Sequence, residues 1–243
     1  MERILTSWYS PHLQKEMPVA VYGYYGAALL LIPTAAADYL EYERFQLIEA
    51  LSSFINDGKI KVFSINSINN ESWMNDHINP RDKSIRHQQF NSYVFEELLP
   101  FIKSQTSTET NIITCGASFG ALHSMNLFLK KPDLIKGVIA LSGVYDLTEY
   151  TKGYFDDDVY FNSPQHFIPN LNDHTILEQI RKSSPVYIFS GSGAHEDPNA
   201  SRSFASLLYS KGINYELDIW GSEWPHDWQT WRAALPNFIA TRL

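Results

Sequence analysis

Short β-branched or apolar runs alternate along the chain with longer stretches whose apolar residues recur every three or four positions. Two such runs open the chain, Ile4 to Tyr9 and Val19 to Tyr24, and read as an antiparallel pair. Six more follow: Leu29 to Pro33, Lys61 to Ile65, Asn111 to Cys115, Val138 to Ser142, Val186 to Ser190 and Tyr215 to Trp220. Helical stretches separate most of them. Asp38-Tyr39-Leu40-Glu41 has the form of a capping box and predicts a helix from Asp38 to Phe54. Phe90, Tyr93, Val94, Leu98 and Phe101 share one helical face and predict a helix from Ser84 to Lys103, while Ala121 to Leu129 and Trp228 to Ala240 complete the set. This order predicts βα units on a mostly parallel sheet of about eight strands with helices on both faces, an α/β architecture. Asn66 to Lys83 and Thr151 to Asp173 fit neither period and read as long polar and aromatic loops, the kind that wall a site.

Composition narrows the function classes. A chain of 243 residues that is 44% hydrophobic supports one sizeable core, so one domain over residues 1–243 is expected. The net charge of −8 gives no general attraction to nucleic acid or anionic membranes, and neither is expected as a partner. The single cysteine, Cys115, excludes an intrachain disulfide and a thiolate-based metal site. The most apolar run, Ala27 to Pro33, is far shorter than a membrane span of roughly 18 residues. The opening MERILTSWYSPH lacks the apolar stretch of a signal peptide, so a cytoplasmic location is expected.

The run ending at Cys115 leads into Gly116-Ala117-Ser118-Phe119-Gly120, a G-x-S-x-G match followed at once by a helical stretch. In that strand, turn and helix context, a sharp turn lifts the serine above the sheet, and the glycines avoid collisions with neighbouring backbone. Ser118 is therefore the candidate nucleophile. The N–H of Phe119, at the helix start, is available to a developing oxyanion. Cys115 reads as packing.

A serine hydroxyl needs a general base, and the base needs an orienting carboxylate. In this arrangement the chain order is Ser, acid, His. His226 alone follows the last strand, in Trp224-Pro225-His226-Asp227-Trp228, and is the candidate base. The loop after Val186 to Ser190 offers two carboxylates, Glu196 and Asp197. Asp197 precedes Pro198 at a rigid loop-to-helix junction and is preferred, although the same position suits an N-cap; Asp146 stands third. Neither His195 nor its neighbours has a metal-ligand spacing, so no metal and no cofactor are expected. The loop Pro33 to Asp38 stands where a second oxyanion donor belongs, and its small residues Ala35 and Ala36 are the candidates.

With these residues in view, the sequence resembles the putative-esterase branch of the α/β-hydrolase superfamily, which holds esterase D type hydrolases, enterochelin-type esterases, feruloyl esterases and mycolyltransferases. The resemblance rests on the elbow CGASFGALHS, on Glu96-Glu97-Leu98-Leu99-Pro100-Phe101-Ile102 before the elbow strand, on Ala140-Leu141-Ser142-Gly143, and on His226-Asp227-Trp228. It implies the α/β-hydrolase fold over nearly the whole chain, with Ser118 as nucleophile, His226 as base and Asp197 as acid. One departure is Trp224-Pro225, which replaces the family's glycines before the histidine. The expected function is hydrolysis of a small-molecule carboxylic ester through an acyl-enzyme. The alternatives are acyl transfer by the same triad and a non-catalytic binding module on the same scaffold, and self-association into a homo-oligomer stays open. Trp73, Tyr154, Tyr160, Phe161, Trp224 and Trp228 are candidates to wall the substrate pocket, each against the competing role of ordinary packing.

Overall fold

The computed structural model describes every residue from Met1 to Leu243. Eight strands form one sheet: β1 Arg3–Ser10, β2 Lys15–Tyr22, β3 Ala27–Ile32, β4 Ile60–Ile65, β5 Ile112–Ala117, β6 Gly137–Leu141, β7 Val186–Ser190 and β8 Glu216–Ile219. Their spatial order is β1-β2-β4-β3-β5-β6-β7-β8. The expected opening hairpin is present, with β1 antiparallel to β2 and β2 antiparallel to β4; every later pairing is parallel. No helix is long and apolar enough to cross a membrane.

The inner parallel strands β3, β5, β6 and β7 are buried on both faces, as their unbroken apolar runs require, whereas the edge strand β8 is partly exposed. Alternation along each strand sorts side chains between two cores. On β3, Ala28, Leu30 and Ile32 face one core, which the elbow helix Phe119–Lys130 shares with Pro80–Tyr93 and Pro198–Ser210. Leu29 and Leu31 face the other, closed by the segments from Glu41 to Asn56 and by the last helix, Trp228–Arg242. This two-sided packing holds β5 rigidly in the centre of the sheet, under the G-x-S-x-G turn.

Four expected elements differ in detail. The helix expected over Asp38 to Phe54 is three short pieces, Glu41–Arg44, Leu47–Ala50 and Ser52–Asn56, because Gln46 turns the chain through the left-handed region at φ 63°. The capping box does not form. Glu41 is drawn inward to accept from the Thr34 N–H at 2.9 Å and the Thr34 hydroxyl at 2.6 Å, while Asp38 accepts from the Leu40 N–H and pairs with Arg44. Tertiary demand on the Pro33 to Asp38 loop overrides the local cap. The helix expected from Ser84 begins at Pro80, capped by Asn79, and continues through a π-turn at Val94–Leu98 to Gln105. The two expected long loops are partly ordered into short turns and helices, including Asn69–Glu71, Asp157–Asn162 and Pro164–Phe167.

Candidate active site

At the carboxyl end of β5 the chain makes the sharp turn that the motif demands. Ser118 sits at φ 57°, ψ −121°, a conformation ordinarily costly for a residue with a Cβ. Its N–H is fixed by the Leu141 carbonyl at 2.9 Å. Both glycines are required by close approach: a Cβ on Gly116 would lie 2.4 Å from the Gly120 carbonyl, and one on Gly120 would lie 2.3 Å from the Ile32 carbonyl oxygen. The second of these contacts brings the Pro33 to Asp38 loop directly against the elbow. Phe119 opens the helix, so its N–H has no carbonyl one turn back.

That loop is pinned from its other side. The Ala35 carbonyl accepts from Asn69 Nδ2 at 2.6 Å and from Ser67 Oγ at 3.0 Å, and the Ala36 carbonyl accepts from Asn70 Nδ2 at 3.0 Å. Across a planar trans peptide, C=O and the next N–H point in opposite directions. The Ala36 N–H, following the tethered Ala35 carbonyl, is therefore turned away from the 67–70 segment. Ala35 and Ala36 have no partner for their N–H groups within the chain, whereas the Thr34 N–H is occupied by Glu41. Asn69 is held in turn by His123 of the elbow helix, whose Nε2 lies 3.1 Å from Asn69 Oδ1. Since Asn69 Nδ2 serves Ala35, Oδ1 is the acceptor and His123 Nε2 the donor. Burial holds the His123 pKa down to about 3, so its ring is neutral.

On the far side of Ser118 the register across β5, β6 and β7 pairs Ala117 with Leu141 and Leu141 with Phe189. Ser118, Ser142 and Ser190 are the next residues in each chain. They form a row at the carboxyl edge, one strand spacing of about 4.8 Å apart. Glu196 closes over this row: its side chain is fully buried, Oε1 accepts from Ser142 Oγ at 2.5 Å, and Oε2 lies 3.1 Å from Ser190 Oγ and 3.5 Å from His226 Nδ1. Burial alone would push the Glu196 carboxyl pKa up. The His226 ring and the two serine hydroxyls outweigh burial, and the carboxyl titrates below its ordinary value.

Backbone pairing between two loops sets this meeting. The Gly193 N–H donates to the Trp224 carbonyl and the His226 N–H to the Ala194 carbonyl, each at 2.9 Å. Gly191 and Gly193 permit it, since a Cβ on Gly191 would lie 2.1 Å from the Trp224 oxygen and one on Gly193 would lie 2.7 Å from the Ser222 oxygen. His195, at φ 64°, then turns the chain so that Glu196 points inward and Asp197 outward.

Asp197, the preferred acid by sequence, therefore does not face His226. It caps the helix Pro198–Ser210, accepting from the Asn199 and Ala200 N–H groups at 3.0 and 3.1 Å, and is exposed. The Asp-Pro signal marked a helix start, and the neighbouring Glu196 is the carboxylate that the fold delivers to the histidine. Asp146, the third candidate, pairs with His166 at 3.0 Å instead. Cys115 is wholly buried, and burial pushes its thiol pKa up, in keeping with packing. Sequence reasoning gave no role to Ser142, Trp231, Asn69 or His123, although Ser142 and His123 lie in segments that carry the family resemblance; their contacts here are long-range.

A family model described as "Putative esterase" matches residues 42–241. The chain belongs to this esterase family. Its members are carboxylic ester hydrolases, and this chain is an enzyme of that class. No curated protein matches it in sequence. Among solved structures, a ferulic acid esterase is similar at a TM-score of 0.75 with 15% identity, covering 98% of this chain and 96% of that one. An S-formylglutathione hydrolase from Agrobacterium tumefaciens is similar at 0.71 with 15% identity, covering 98% and 93%. FphF, a fluorophosphonate-binding serine hydrolase from Staphylococcus aureus, is similar at 0.70 with 17% identity, covering 98% and 97%. At these identities the likeness establishes the α/β-hydrolase fold.

In this esterase the candidate pocket aromatics occupy separate neighbourhoods. Trp73 is buried beneath the elbow against Phe119 and donates from Nε1 to His87 Nδ1 at 3.0 Å. Tyr154 packs near the same cluster and donates to Asp156. Tyr160 and exposed Phe161 pack edge to face on a short helix, and Trp224 packs on Trp220. Trp228 stacks on Phe45 at 4.5 Å between ring centroids, over the second core. Packing, the competing role weighed from sequence, accounts for the buried Trp73.

Proposed function

We propose that this esterase works by an acyl-enzyme mechanism with Ser118 as nucleophile, His226 as general base and Glu196 as the orienting acid. The observation that carries this reading is the buried Glu196 carboxylate, held by Ser142 and Ser190 with His226 Nδ1 3.5 Å from Oε2, one strand away from the strained Ser118. With Nδ1 toward an anion, His226 keeps its proton there and presents Nε2 as the base. Ser118 gives its proton to Nε2 as its oxygen attacks the ester carbonyl. The tetrahedral oxyanion is met by the N–H groups of Phe119 and Ala36, both fixed before the substrate arrives. His226 returns the proton to the leaving alcohol, and water repeats the sequence to free the acid. Ala35 supports the hole through its tethered carbonyl.

The test is trapping of the intermediate. Mixing the enzyme with p-nitrophenyl acetate and quenching in acid within the first turnovers should give a chain heavier by one acetyl group, mapped to Ser118. Ser118→Ala should show neither adduct nor burst. Hydrolysis that survives unchanged in Ser118→Ala would overturn the assignment.

A further inference from the structure

Glu196 rests on a support that reaches beyond the three groups assigned above. Ser142 ends β6 with a left-handed backbone, φ 49°, in a residue that is not glycine. Its N–H is fixed by the Phe189 carbonyl at 2.7 Å, so the unusual backbone is anchored in the sheet. Its hydroxyl sits between two partners: Trp231 Nε1 at 3.0 Å and Glu196 Oε1 at 2.5 Å. An indole nitrogen only donates. Ser142 must then accept from Trp231, and its single proton is committed to Glu196. Ser190 differs, because its one proton is shared between the Gly191 carbonyl at 2.8 Å and Glu196 Oε2 at 3.1 Å. Ser142 is thus the one hydroxyl donor wholly directed to the carboxylate, and it occupies the oxygen that His226 does not approach.

Trp231 also touches the other end of the pair. Its ring meets the His226 ring edge to face, 5.2 Å between centroids and 84° between planes, while its N–H passes behind to Ser142. One buried side chain of the last helix therefore braces His226 with its ring and, through Ser142, Glu196 with its N–H. Each donor in the row polarises the next, so the chain ends on the carboxylate with its strongest contact.

We infer that Ser142 and Trp231 are positioning residues of this esterase, acting as a donor relay, Trp231 to Ser142 to Glu196, that fixes which carboxylate oxygen His226 receives. The inference rests on the triad reading above and adds to it the mechanism by which the acid is held. It also gives the strained serine a role, since its left-handed backbone goes with a hydroxyl directed off the end of β6 at Glu196.

The measurement is the second-order rate of Ser118 labelling by a fluorophosphonate, followed by intact mass across pH. Ser142→Gly suits the left-handed backbone and removes the hydroxyl together with its Cβ. Trp231→Phe keeps an aromatic ring at this position and removes the N–H together with the pyrrole part of the indole. Labelling should slow about tenfold in Ser142→Gly, the loss expected for one hydrogen bond to a charged group, and by less in Trp231→Phe. The pH of half-maximal labelling should rise in both, because the Glu196–His226 pair with one donor fewer holds its proton more tightly. Burial keeps the proton on nearby Tyr145, so its hydroxyl does not titrate in this range. In a Glu196→Gln background Ser142→Gly should cause little further loss, since it acts through Glu196. Native labelling rate and pH profile in both variants, or full additivity with Glu196→Gln, would overturn the relay; if Ser142→Gly fails to fold, Trp231→Phe decides. Ser118→Ala controls for the underlying reading, for label retained in that variant defeats the triad whatever Ser142 does.

Discussion

Two imidazoles with opposite surroundings, His123 of the elbow helix and His226 beside Glu196, set the terms of the proposed mechanism. His123 lies five residues along the elbow helix and is 1% exposed, packed against His87, Phe90 and Phe119. Its partner is a neutral amide, Asn69. A carboxamide cannot offset the charge of an imidazolium in an apolar enclosure, so the ring stays neutral and acts as a fixed donor. His226 lies in a loop with a quarter of its side chain exposed, and its partner is the ionised Glu196. Each system includes a tryptophan that donates from its indole, Trp73 to His87 and Trp231 to Ser142. The residue types are alike, and the charge of the partner divides them: one cluster tethers the Pro33 to Asp38 loop through Asn69, and to the other the proposed mechanism gives the transfer of a proton.

The largest effect that would sharpen this contrast comes from exchanging the two roles' essential groups. His226→Ala should lower kcat for p-nitrophenyl acetate by about ten-thousandfold or more, the loss typical of a triad histidine. His123→Gln should keep most of the activity. Comparable losses in steady-state assays of both variants would break the comparison. Next, Glu196→Gln should cost about a thousand- to ten-thousandfold in kcat, with the ester KM little changed, because an amide cannot stabilise the imidazolium. Asn69→Ala should be milder. Removing one of the two donors to the Ala35 carbonyl, with Ser67 Oγ still in place, loosens the proposed oxyanion loop without deleting a donor, so kcat should fall by about ten- to a hundredfold, below the cost of removing a donor outright.

Smaller effects concern stability. His123 binds a proton in the unfolded chain near its ordinary pKa of 6.5 but in the folded chain only near about 3, so the unfolded state carries more protons between these values. His87, sealed beside it and likewise depressed by burial, adds to the same trend. Denaturant unfolding should therefore show stability falling as pH drops below about 6.5, and His123→Gln should flatten that slope. Glu196 works in the same sense lower down: its depressed pKa lends stability above the ordinary carboxylate range that is lost on further acidification. Asp197→Ala, last in size, should cost about 1 kcal/mol of stability through the lost cap and leave kcat unchanged.

Much of this was legible in the sequence, for reasons that name its limits. The strands could be read because β3, β5, β6 and β7 are buried on both faces and show as unbroken apolar runs. The elbow could be read because Gly116 and Gly120 answer contacts within a few residues and one adjacent strand. The sequence favoured Asp197 as the carboxylate beside His226, and the fold puts Glu196 there instead, since Asp197-Pro198 obeys a strong local rule while Glu196 is turned inward by His195 and by pairing with a loop some thirty positions away. The capping box at Asp38 failed for the same kind of reason, Glu41 being recruited to Thr34. Ser142 and Trp231 meet across 89 positions, and no periodicity reports such a contact.

The central claim is that Ser118, His226 and Glu196, and not Asp197, form the reacting unit. Intact-mass analysis after brief exposure to a fluorophosphonate tests it most directly, comparing the native chain with Ser118→Ala, His226→Ala, Glu196→Gln and Asp197→Asn. One adduct on the native chain and on Asp197→Asn at equal rates, none on Ser118→Ala, and strongly slowed labelling of the other two is the predicted result. An adduct on Ser118→Ala, or loss of labelling in Asp197→Asn with Glu196→Gln unaffected, would contradict it.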